Sequence, residues 1–254
     1  ISPLFETQAM HFLFFFFLYS LPTSVKAAPK TDFPMQERVA PQELFNALNE
    51  LAEELQNHPT ITQEYQLFLK EQGLKHTELS QLDYVKVRMI FEATRDGGLW
   101  HIQWDITDRP PNALSIWSEW NSYDGNFSVT ATAECDELSA LLAQILYHMK
   151  VPHIGLFWPT WNHTVAVWKI NKKRVVLPTS QVFLDNTQTM GTKHFDPWTQ
   201  KNIYDYKNLD VKKNTTIPSP LARFMLSQLR EHIHKKSKTL QKMRNEHVEK
   251  YGGS

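Results

Sequence analysis

The stretch ATAECDELSALLAQILYHMKVPHIGLFWPTWNHTVAVWKINKKRVVL, residues 131–177, decides the fold class. Apolar residues recur on a helical period from Glu134 to Met149, and Pro152 ends the run. Two β-rich segments follow, HIGLFW (153–158) and HTVAVWKI (163–170), joined through PTWN; a polar NKK turn then leads into a third strand ending at Leu177. A helix packed on a small antiparallel sheet is an α+β core. At the first turn of that helix stands Cys135, the only cysteine in 254 residues.

A thiol at a helix start faces unsatisfied backbone N–H groups and the positive end of the macrodipole, which favour thiolate. The same N–H groups suit a developing oxyanion. His163 heads the second strand and, alongside, would take the thiol proton and return it to a leaving amine. Glu134, Asp136 and Glu137 partly oppose the thiolate. Two plainer readings stay open: Cys135 as a small buried hydrophobe with His163 a strand histidine, and a metal site drawing on Cys135, His148, His153 and His163. The spacings of that second set match no standard zinc pattern, so no metal and no cofactor is expected.

The residues ECDELSALLAQILYHMKVPHIGLFWPTWNHTVAVW (134–168), followed by RVVLPTSQ (174–181), resemble the transglutaminase-like branch of the papain-like cysteine enzymes. The resemblance covers residues 131–181 and implies a papain-like core with Cys135 as nucleophile and His163 as base. Leu177 departs from it, standing where the family carries an acid before Pro178 and Thr179. Thr179 or Gln181, two and four positions on, would then orient the imidazole, a role an uncharged group can fill. The resemblance also implies an indole N–H near the oxyanion, with Trp104, Trp120 and Trp161 as candidates for the oxyanion site or cleft wall.

Around this core, Leu44, Leu48, Leu51 and Leu55 form one helical stripe between Pro41 and Pro59, and a second helix ends at Gly73. A third, capped by Thr77 or Ser80, stops at Gly97–Gly98; LWHIQWDI (99–106) alternates as a strand, and Asn112 caps a short helix. Residues 184–220 read as a long packed loop, and Leu226, Leu229, Ile233, Leu240 and Met243 mark a basic C-terminal helix. The expected division is residues 1–27 as upstream residues plus signal peptide, 28–79 as a helical segment, 80–215 as the cysteine-enzyme core and 216–254 as the basic helix.

The apolar run Phe12–Leu21 after Met10 is too short to span a bilayer, and Val25 and Ala27 fit a signal cut before Ala28. Export to the periplasm or outside the cell follows as an expectation, in a compartment where a lone thiol needs a reason. Lys and Arg balance Asp and Glu at 27 each, which leaves no basic footprint for nucleic acid. No phosphate-binding glycine loop, G-x-S-x-G or H-E-x-x-H occurs. The expected activity is amide hydrolysis or acyl transfer through a thioester on a peptide or protein substrate, with the C-terminal helix available for envelope association. The alternative is a catalytically silent binding module built on the same cleft.

Overall fold

The computed structural model describes residues 33, 36–110, 112–160, 163–180, 204–205, 211–212 and 214–251. The chain enters through β1 (Arg38–Val39) and forms α1 (Pro41–Leu55), α2 (Pro59–Gln72) and α3 (Gln81–Thr94). Each helix begins where the sequence supplies a start. Pro41 and Pro59 fill first-turn positions that have no intrahelical N–H bond to lose, and Ser80 Oγ accepts the Asp83 N–H at 3.0 Å. Gly73 closes α2 at φ 61, the left-handed conformation that glycine adopts without strain. The four leucines of the α1 stripe are all buried.

Next come β2 (Ile102–Trp104), α4 (Leu114–Asn121), β3 (Ala131–Ala133) and α5 (Cys135–His148). Every residue of α5 from Glu137 to Leu146 is buried. A helix apolar on all sides belongs inside, and α5 accordingly packs on a sheet along one flank and on α1, α3 and α4 along the others. The sheet is built from β4 (Ile154–Thr160), β5 (His163–Ile170), β6 (Lys173–Leu177) and β7 (Tyr204–Asp205), in the order β6-β5-β4-β7 with every pairing antiparallel. Asn171, at φ 53, turns β5 into β6. Ala166, Trp168 and Ile170 of β5 join the main core with Val175 and Leu177, whereas Val165 and Val167 join Phe157 and Val176 in a smaller cluster. The chain closes with β8 (Ile217–Pro218), α6 (Ser219–His232) and α7 (Ser237–Tyr251).

The mixed α+β class is what the helix and strand periods predict. Three expectations change in detail. The strand expected over residues 99–106 shrinks to β2, because residues 97–101 form a tight turn, with Trp100 N–H bonded to the Ala93 carbonyl at 3.1 Å. Not all pairing is antiparallel: β2 runs parallel to β3, with Trp104 opposite Ala133. The single C-terminal helix is two helices with a turn between them, and the bend brings Leu240 and Met243 to the walls of a small cavity shared with Gly97, Gly98 and Leu99. Had the helix run straight, Leu240 could not reach its buried position at 2% exposure. No helix among the described residues is long and apolar enough to cross a membrane. The expected signal segment, residues 1–27, lies outside the described residues, as does most of the expected 184–220 loop.

Buried charge is concentrated on α3. Arg88 meets Glu64 at 3.1 Å and Glu92 at 2.7 Å, and Arg95 meets Glu92 at 2.5 Å. Lys86 donates to the Met149 carbonyl at 2.9 Å, joining α3 to the end of α5. The pairing of Arg88 and Arg95 with Glu64 and Glu92 offsets part of the desolvation cost of burying them, which is still the largest influence on both guanidinium groups.

Candidate active site

The first turn of α5 forms at Cys135 because β3 delivers the chain there and Glu134 caps it: the Glu134 N–H donates to Glu137 Oε2 at 3.0 Å. Cys135 is 9% exposed. Its sulfur lies against the backbone of Thr164 and of Asp136, both within hydrogen-bonding reach of it. Burial pushes the thiol up from its ordinary range; the Thr164 contact works against this, and the charges of Asp136 and Glu134 add to the rise. Thr164 follows His163 directly, so the strand start that carries the histidine also supplies the contact to the cysteine.

His163 is 3% exposed, and burial lowers its imidazole to about 4. Both groups are therefore neutral at pH 7, a thiol and an imidazole and not an ion pair. By the two-residue period of β5, His163 belongs to the face of Val165 and Val167. Cys135 meets the strand through the Thr164 backbone at its edge.

Thr179 is 1% exposed, and its hydroxyl lies 2.8 Å from Ser139 Oγ. Ser139 donates to the Cys135 carbonyl at 2.6 Å, one helical turn back, with the Thr164 carbonyl at 3.2 Å. Thr179 is thereby tied to the cysteine helix through a serine that the sequence reading left out. Leu177 is fully buried opposite Ala166, in the main core beneath α5. Its register explains why no acid stands there: the position faces packed aliphatic side chains.

Of the tryptophans, Trp104 is placed by β2 opposite Ala133, two residues before Cys135, and its indole N–H is buried without a hydrogen-bond partner. Trp120 takes a different role. Its ring stands edge-on to Trp100 and Trp117 in the core, and its N–H reaches Thr130 Oγ1 at 3.4 Å. Trp161 and Gln181 lie outside the described residues.

Glu134, Asp136 and Glu137 bring their carboxylates within 4.8 Å of one another beside the cysteine. Burial raises Glu134 and Asp136, and mutual repulsion adds to the shift. Glu137 is occupied by the hydroxyls of Thr107, at 2.8 Å, and Ser115. The Thr107 contact fastens residues 105–109 across the start of α5. Ser139 was legible in retrospect, since a serine four residues after a first-turn cysteine lies on the same helix face.

No family model, curated protein or solved structure matches the chain.

Proposed function

We propose that the protein is an exported cysteine-dependent amide hydrolase or acyltransferase with a papain-like, transglutaminase-like core, acting on a peptide or protein substrate. The observation that carries this is the first-turn thiol of α5 in contact with the backbone of Thr164, the neighbour of His163. In this reading His163, which the strand period places on the Val165 and Val167 face of β5, turns past Thr164 to Cys135 and removes the thiol proton as sulfur bonds to the carbonyl carbon. The tetrahedral oxyanion faces the Asp136 N–H and the unpartnered indole N–H of Trp104. Collapse breaks the C–N bond, and the imidazolium returns its proton to the leaving amine. Water or a second amine then attacks the thioester, His163 takes its proton, and the thiol is restored. Because both groups rest neutral, proton transfer accompanies bond formation. The third residue is Thr179 or Gln181; the Thr179 hydroxyl is bonded to Ser139, which reaches the Thr164 carbonyl beside His163. The basic C-terminal helices are a surface for envelope association.

The silent binding module is the second reading, favoured by the raised thiol, the lowered imidazole and the leucine at position 177. An electrophilic peptide-amide probe separates the two. Wild type should form a mass-detectable adduct at Cys135, and Cys135→Ser and His163→Ala should not. A folded wild type that never labels between pH 6 and 9 leaves the binding module standing. Stability alone does not discriminate, because a serine hydroxyl keeps the backbone partners of the thiol.

A further inference from the structure

Two chain segments flank Cys135, and one residue touches both. On one side β2 pairs with β3, which runs directly into the cysteine. On the other, Thr179 bonds to Ser139 one turn along the helix. Asp96 lies between them at 8% exposure, with its backbone N–H donating to the Thr179 carbonyl at 2.7 Å and its Oδ1 accepting the Trp104 backbone N–H at 3.2 Å. The contacts close a ring: Asp96 to Trp104, across the β2–β3 pair to Ala133 and Cys135, through Ser139 to Thr179, and back to Asp96.

The turn that carries Asp96 is built to hold it still. Arg95, the residue before it, is anchored by Glu92 and stacks over Phe91 at 4.7 Å. Gly97 sits at φ 57. At Gly98 a Cβ would lie 2.6 Å from the carbonyls of both Arg95 and Glu92, so no other residue fits without moving backbone. From behind, Leu240 and Met243 of α7 line a small cavity together with Gly97, Gly98 and Leu99.

We propose that Asp96 is a positioning residue for the Cys135 site, holding the Trp104 strand and the Thr179 segment in the spacing that keeps the thiol enclosed against Thr164. This deepens the enzyme reading and rests on it, but it concerns the geometry of the thiol and is tested without turnover. Asparagine keeps an acceptor at the same place, glutamate moves it by one methylene, and alanine removes it.

The experiment measures the rate of Cys135 alkylation by iodoacetamide from pH 6 to 10 in the full folded chain. Asp96→Asn should follow the wild-type profile within about twofold. Asp96→Ala should alkylate about tenfold faster at pH 8, its thiol released toward ordinary exposure and acidity. Asp96→Glu should fall between them. Leu48→Ala, which loosens the remote α1 core, should leave the profile unchanged and so separates positioning from general softening. A wild-type profile in folded Asp96→Ala overturns the proposal, as does an Asp96→Asn profile as disturbed as that of alanine. If Asp96→Ala does not fold, a wild-type profile in Asp96→Glu overturns it instead. Loss of adduct formation with the peptide-amide probe, alongside the expected alkylation pattern, would refute the enzyme and leave the role of Asp96 intact.

Discussion

Leu177→Asp restores the acid that the family resemblance leads one to expect, and the structure says it should harm the protein instead of activating it. Leu177 is fully buried opposite Ala166, among the main-core residues under α5. Truncating such a side chain to alanine costs about 2–5 kcal/mol, and an orphaned polar group adds about 1–3 kcal/mol. A total loss of roughly 3–8 kcal/mol is a large share of the stability of an ordinary domain. The penalty also carries a pH signature. Burial raises the folded-state pKa of the introduced carboxyl above its unfolded value of about 3.9, so the loss is smaller at pH 4 and grows as pH rises through the folded value. Urea unfolding at pH 5 and pH 8, with Leu177→Met as a control expected to cost under about 1.5 kcal/mol, measures it. Were Leu177→Asp within about 1 kcal/mol of wild type at pH 8 while labelling faster with the peptide-amide probe, Leu177 would face His163 and the packing account would be wrong.

Four further expectations follow from the same coordinates. His163 is held neutral with its imidazole at about 4, so the unfolded chain binds a proton that the folded one refuses; stability should fall by roughly 2–3 kcal/mol between pH 6.5 and 4, and His163→Gln should flatten that slope in pH-dependent urea unfolding. Ser139→Ala strands the Thr179 hydroxyl and should lower stability by about 1–3 kcal/mol by calorimetry while speeding Cys135 alkylation, whereas unchanged alkylation would detach Ser139 from the site. Trp104→Phe keeps an aromatic six-membered ring but removes the pyrrole ring with its unpartnered N–H, so the melting temperature should fall modestly while peptide-amide labelling falls about 100-fold if the indole serves the oxyanion. Gly98→Ala should cost more than about 2 kcal/mol in urea unfolding, because its methyl group would meet backbone carbonyls that have no room to retreat.

The central helix and hairpin were legible because their signals are local. The apolar run of α5, its stop before Pro152 and the strand periods on either side of Asn171 each lie within a few residues of the element they specify. The α1 leucines and Gly73 belong to the same class. What escaped the sequence reading is non-local. β2 lies inside the alternating stretch 99–106, but its parallel partner β3 is three residues long, too short to carry a period of its own, so the pairing could not be read. The break between α6 and α7 lies in polar residues as compatible with a helix as with a turn, and only the docking of Leu240 decides it. Asp96 carries no motif, since its N–H bonds the Thr179 carbonyl far along the chain, and Ser139, although its place one turn after Cys135 is readable, is tied to Thr179 by a side-chain contact that no local pattern records. The two neutral states at Cys135 and His163 were equally hidden: position at a helix start predicts thiolate, whereas depth of burial, which no residue type records, favours the thiol.

The β1–β8 pair has a consequence for how the chain assembles. Arg38, on β1, bonds the Thr216 side chain at 2.5 Å across a separation of 178 residues, and also holds the Asn121 carbonyl at 2.7 Å. A contact of such span forms only after the intervening chain has been ordered, since closing so long a loop early loses entropy that two short strands do not return. The clasp is therefore a late event in folding and an early one in opening. Amide protons at Val39 and Ile217 should exchange through a local fraying that leaves α5 and its sheet closed.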